Sequence, residues 1–173
     1  MNTTPPNPDR CSDQVETSLR GTNTSGHRRH GPKPEAPANN GRPIRAVIAD
    51  DSPAVMKKLA SLLEQQTNIE LIGSATDGYG AVRRAMELSP DLVLLDLHLP
   101  GINGLEATRQ IKARSQAAVI LVTADDTPGW RAAARAAGTD AFVGKQHLFT
   151  RLRRAIRKLF PEHGNAEHRS QGD

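Results

Sequence analysis

At 173 residues, 36% hydrophobic and 24% charged, the chain has the length of one packed domain with residues to spare, or of one domain plus tails. Its single cysteine, Cys11, excludes an intrachain disulfide and a cysteine-based zinc site, and no apolar run is long enough for a membrane span or a signal-peptide core, so a soluble, cytoplasmic protein is expected. The formal net charge of +4 conceals a local excess: between Thr127 and Phe160 eight basic residues stand against one acid, Asp140, a pattern that suits an acidic partner, nucleic acid, anionic lipid or a merely solvated surface.

Residues 1–43 carry seven of the twelve prolines and almost no large apolar side chains, so they are predicted to form a disordered N-terminal tail. After Pro43 the run Arg45-Ala46-Val47-Ile48-Ala49 reads as a first strand that ends on Asp50 and Asp51. Ser52-Pro53 is a helix start: the Ser52 hydroxyl can accept from the first free amides, and Pro53 loses no bond at the first helical position. Val55, Leu59, Leu62 and Leu63 then share one side of a helix reaching about Gln66. Ile69 to Ala75 is a second strand. Asp77-Gly78 and Gly80 are expected to form a loop, with Ala81, Val82, Ala85 and Leu88 marking a second helix that ends before Pro90.

Leu92 to Leu95 is an unbroken apolar run, as in a strand covered on both faces, and it ends on Asp96 ahead of a Pro100-Gly101 turn. Asn103 or Gly104 begins a third helix with Leu105, Thr108 and Ile111 inward. Ala118 to Val122 runs into Thr123, Thr127-Pro128 starts a short Ala-rich helix that Gly138 stops, and Ala141-Phe142-Val143-Gly144 runs into Lys145. The last helix turns Leu148, Leu152, Ala155, Ile156 and Leu159 inward and its arginines outward, up to Pro161; residues 161–173 are expected to be a flexible C-terminal tail.

Five strands alternating with five helices over residues 44–160 predict an α/β domain with a five-stranded parallel sheet. The flavodoxin-like doubly wound (βα)5 order 2-1-3-4-5 places the ends of strands one and three side by side, and with them Asp50, Asp51 and Asp96. Three packed carboxylates repel one another unless a cation joins them, so Mg²⁺ is the expected cofactor, an oxygen-liganded ion that commonly sits beside a phosphate. Lys145 would bring a point charge and Thr123 a hydroxyl to the same phosphate, while Asp96 itself could be the nucleophile toward an activated phosphoryl group. Taken singly, Asp96 is equally readable as a turn cap, Phe142 as a core residue, Trp130 as a packing residue or partner anchor, and Asp125 and Asp126 as solvated loop charge.

Together these positions resemble the receiver domain of two-component response regulators, of the stand-alone, chemotaxis type. The matching residues are the acid pair Asp50 and Asp51, Asp96 within Asp-Leu-His-Leu-Pro-Gly-Ile-Asn-Gly, Thr123 within Val-Thr-Ala, and Lys145 after Ala-Phe-Val-Gly. The resemblance implies that Asp96 accepts phosphate from a sensor histidine kinase or phosphotransfer protein. It implies a Mg²⁺ site made by Asp51, Asp96 and the backbone carbonyl of His98, with Asp50 acting through water. Thr123 and Lys145 would engage the phosphate, Phe142 would be the aromatic that turns inward on activation, and the face of helix four, strand five and helix five would be reshaped. Two positions depart from the common family pattern: Gln146 stands where proline often follows the lysine, and His98 occupies the place, two after the acceptor, that tunes phosphate loss.

The expected output is docking of the activated basic face on a downstream protein target, self-association through that face, or phosphate relay, with no membrane partner. A phosphatase with an aspartyl nucleophile needs a second acid where His98 stands, and a flavin site would meet repulsion from Asp50 and Asp51. Nucleic acid is the disfavoured reading of the basic surface, because only Trp130 and Phe142 could stack along it.

Overall fold

The computed structural model describes residues 41–161. The tails expected at 1–43 and 161–173 therefore lie, but for residues 41–43 and 161, outside the described residues. Five strands, β1 (Ile44–Ala49), β2 (Ile69–Ala75), β3 (Leu92–Asp96), β4 (Ala118–Thr123) and β5 (Ala141–Gly144), alternate with five helices, α1 (Pro53–Glu64), α2 (Gly78–Leu88), α3 (Gly104–Arg114), α4 (Pro128–Ala136) and α5 (Leu148–Leu159). The strands form one parallel sheet in the order β2-β1-β3-β4-β5. This is the predicted doubly wound, flavodoxin-like arrangement.

The central strand shows why the fold needs helices on both sides. Leu92 and Leu94 join a core with Leu59, Leu62 and Leu63 of α1 and Leu148, Leu152 and Ile156 of α5. Val93 and Leu95 point the opposite way, into a core with Ala81, Val82 and Ala85 of α2, Leu105 and Ile111 of α3, and Ala134 of α4. Every residue of β3 is buried, so its unbroken apolar run is what a strand between two layers requires. The layer over α4 is the thinnest, since Ala134 is the one buried residue of that helix.

Two local expectations change. Ser52 makes no side-chain cap bond; its own N–H donates instead to Asp50 Oδ1 at 2.9 Å, and Pro53 alone marks the start of α1. The loop expected through Gly78 and Gly80 is the first turn of α2. Asp77 caps it by accepting from the Gly80 N–H at 2.7 Å, and Gly78 donates to the Pro100 carbonyl at 3.0 Å, an approach too close for any Cβ beside the Ile102 backbone. Between β5 and the last helix, Lys145–His147 form one 3-10 turn, and α5 begins at Leu148. At the opposite edge of the sheet, Arg42 donates to both oxygens of buried Asp91 at 2.8 Å, and Asp91 also accepts from the Arg45 N–H at 2.9 Å. No helix among the described residues is long and apolar enough to cross a membrane.

Candidate functional site

The carboxyl ends of β1 and β3 lie next to each other, Ala49 pairing with Leu95, so the residues that follow them meet at one edge. There Asp50, Asp51 and Asp96 each offer a carboxylate oxygen, and these atoms all lie within 4.8 Å of one another. Asp50 and Asp96 are buried, at 1% and 5% exposure, while Asp51 is exposed and forms the open side. Lys145 reaches in from the end of β5, its Nζ 2.7 Å from Asp50 Oδ2 and 3.1 Å from Asp96 Oδ1. The sheet order thus brings together four of the predicted site residues.

One ammonium serves three acids. Although both contacts are short enough for ion pairing, neither buried oxygen accepts a well-aligned hydrogen bond, so Asp50 Oδ2 and Asp96 Oδ1 are neutralised in part and not saturated. Burial pushes the Asp96 carboxyl above its ordinary pKa; the Lys145 ammonium opposes this, and the Asp50 charge adds to it. Burial likewise works against the Lys145 ammonium, but the Asp50 and Asp96 carboxylates outweigh it and hold its pKa above the usual lysine value. Orphaned carboxylate oxygens, an excess of negative charge and an all-oxygen donor set fit a hard divalent cation such as Mg²⁺.

Thr123, buried at the end of β4, is one residue beyond Val122, the partner of Asp96 across the β3–β4 pair. Its hydroxyl accepts from the Asp125 N–H at 3.1 Å, so the β4–α4 loop hangs from this side chain. The ring of His98, two residues after Asp96, meets Asp125 at 2.9 Å through Nε2 and stands edge-on to Trp130 with centroids 5.7 Å apart. Its imidazole therefore belongs to the rim, with a carboxylate that the sequence showed only as solvated charge. Phe142 is half-buried, packed against the core beneath α4, and the Arg131 guanidinium lies 5.2 Å above its ring.

Asp126 is the residue that sequence reasoning missed. Its side chain is only 11% exposed and is ion-paired with Arg131 and, at 3.3 Å, with Arg151 of α5. A charged loop residue ahead of a helix gives no sign of this, because both arginines reach it through the tertiary structure.

Residues 46–157 match the family described as the response regulator receiver domain. The chain is 40% identical over 100 residues to a protein-glutamate methylesterase/protein-glutamine glutaminase of Koribacter versatilis, an alignment covering 58% of this chain and 28% of that protein. It is 47% identical over 81 residues to the transcriptional regulatory protein LiaR of Bacillus subtilis, covering 46% and 38% respectively. The chain thus spans about a third of the length of these curated relatives. Among solved structures, the response regulator domain of Thermotoga maritima CheB aligns with a TM-score of 0.63 at 28% identity, over 70% of this chain and 97% of that one.

Proposed function

The chain belongs to the response regulator receiver domain family, and from that premise we propose that Asp96 accepts a phosphoryl group from a phosphohistidine on a sensor histidine kinase or phosphotransfer protein. The observation that carries this is the gathering of three carboxylate oxygens within 4.8 Å, two of them beside one ammonium. Residues 44–160 are the receiver, and it works in the cytoplasm, where ATP charges such donors.

In the transfer an Asp96 oxygen bonds to phosphorus as the P–N bond breaks, and the departing imidazole keeps the electron pair and takes a proton. Mg²⁺ held by Asp51, Asp96 and the His98 backbone carbonyl, with Asp50 acting through water, would neutralise charge on the phosphoryl oxygens. Lys145, already beside Asp96, is placed to pair with an oxygen of the incoming group. The Thr123 hydroxyl can donate to another, and because it also holds the Asp125 amide, its movement is felt in the β4–α4 loop. Phe142 is the aromatic that follows this movement.

The output is a protein contact made by the face of α4, β5 and α5, with Arg154, Arg157 and Lys158 exposed on α5. We favour a single-domain, chemotaxis-type regulator acting on a separate target. Acetyl phosphate with Mg²⁺ should add one phosphoryl group to the wild type, as read by intact mass, and none to Asp96→Asn or in the presence of EDTA. An adduct that persists in Asp96→Asn would assign the acceptor elsewhere.

A further inference from the structure

Between the phosphate site and the outward face lies a second charged cluster that the acceptor chemistry does not use. Asp126 stands in the β4–α4 loop, three residues beyond Thr123, and its carboxylate is nearly enclosed. Its Oδ1 accepts no well-aligned hydrogen bond and has the Arg131 guanidinium of α4 beside it; its Oδ2 receives Nη1 of Arg151, from α5, at 3.3 Å. The same Oδ2 lies where β5 offers no side chain: a Cβ on Gly144 would come within 2.9 Å of it. Arg131 in turn covers the Phe142 ring. One loop carboxylate thus ties together α4, β5 and α5.

Position, more than stability, is what such a cluster controls. The two arginine side chains are 36% and 46% exposed, and ion pairs of that exposure contribute little to folding. Yet α4 has a single buried side chain, so its lateral placement depends unusually on polar contacts like these. The stack of Arg131 on Phe142 exists only while the ring stays in its half-buried position, and an inward turn of the ring would leave the guanidinium without its aromatic face.

We propose that Asp126 is a positioning residue that gathers Arg131 and Arg151 into a clamp over Phe142, holding α4 and its preceding loop against the conformational switch. This rests on the acceptor reading above, since the switch is what the clamp resists. Because Thr123 holds the Asp125 amide, a pull on its hydroxyl is transmitted to the next residue, Asp126. The clamp would then open from its centre, freeing both arginines at once for an acidic partner.

Trp130, the one tryptophan of the chain, sits in the first turn of α4 and reports on its movement. The test is a fluorescence titration of the full chain with beryllofluoride in Mg²⁺, on wild type, Asp126→Asn, Arg151→Gln and, as a control on the outer side of α5, Arg153→Gln. Removing the clamp lowers the probe concentration at half-change by about fivefold in Asp126→Asn and by a smaller factor in Arg151→Gln, with Arg153→Gln unchanged. A role confined to stability would shift the melting temperature and leave these midpoints together, and coincident midpoints in the four proteins overturn the clamp while leaving the acceptor intact. A wild type that gives no response removes the acceptor reading and the clamp with it.

Discussion

Asp96 gives up most of its hydration at the closed edge of the sheet, and the ammonium of Lys145, shared with Asp50, only partly compensates; its carboxyl therefore holds a proton more tightly than in an open chain. With the folded pKa above the unfolded value of 3.8, Asp96 favours the native state below that value and loses this favour as the pH rises through the folded one. Lys145 does not intrude on this window, because its raised pKa keeps its contribution until the pH climbs well into the alkaline range. In magnesium-free buffer, Asp96→Asn is accordingly expected to be more stable than wild type near neutral pH. Urea denaturation at a series of pH values should show that difference shrinking toward acid. A gap that stays constant with pH would mean that some other contact of Asp96 sets it.

The elements hold these side chains by close backbone approach. Gly104 opens α3 directly behind the acceptor, and a Cβ there would overlap the Asp96 carbonyl oxygen and come within 2.9 Å of Leu97 Cα and of a Leu121 methyl group. Since two of those three neighbours are backbone, no rotamer change relieves the contact, and Gly104→Ala should cost about 2 kcal/mol or more in chemical denaturation. The same variant should slow phosphorylation by acetyl phosphate, because the displaced segment is the one that carries Asp96; an unperturbed rate would show that the β3–α3 turn moves freely from the acid. Gly78 acts comparably at α2. Its glycine-rich start resembled a loop, but the cap from Asp77 and the bond to Pro100 make it the first helical turn. Two glycines after an aspartate favour a loop in the local pattern, and here the aspartate's own cap together with a neighbouring backbone overrides that preference.

At the scale of the molecule, charge is segregated: three acids converge at the carboxyl edge of the sheet, while the exposed side of α5 carries arginines and a lysine but no acid. Two copies meeting through α4, β5 and α5 about a twofold axis would bring like charges together. Any dimer through this face is therefore expected to weaken at low salt and tighten as salt screens the repulsion, which sedimentation of the beryllofluoride-treated protein over a salt series would reveal. An acidic partner would show the reverse dependence, and a dimer that loosens with salt would place the self-association on another surface. Much of this organisation was legible in the chain itself. Apolar runs ending in Asp50, Asp96, Thr123 and Lys145, separated by helical patterns, determined a parallel sheet and the edge where its chemistry gathers, because alternation, run length and crossover handedness leave few topologies. What only the tertiary structure decided is which charges meet from distant elements: Asp126 with Arg131 and Arg151, His98 with Asp125, Asp91 with Arg42. Such pairs leave no periodic trace, since a charged side chain on a loop looks the same in sequence whether water or a guanidinium from across the fold completes its shell.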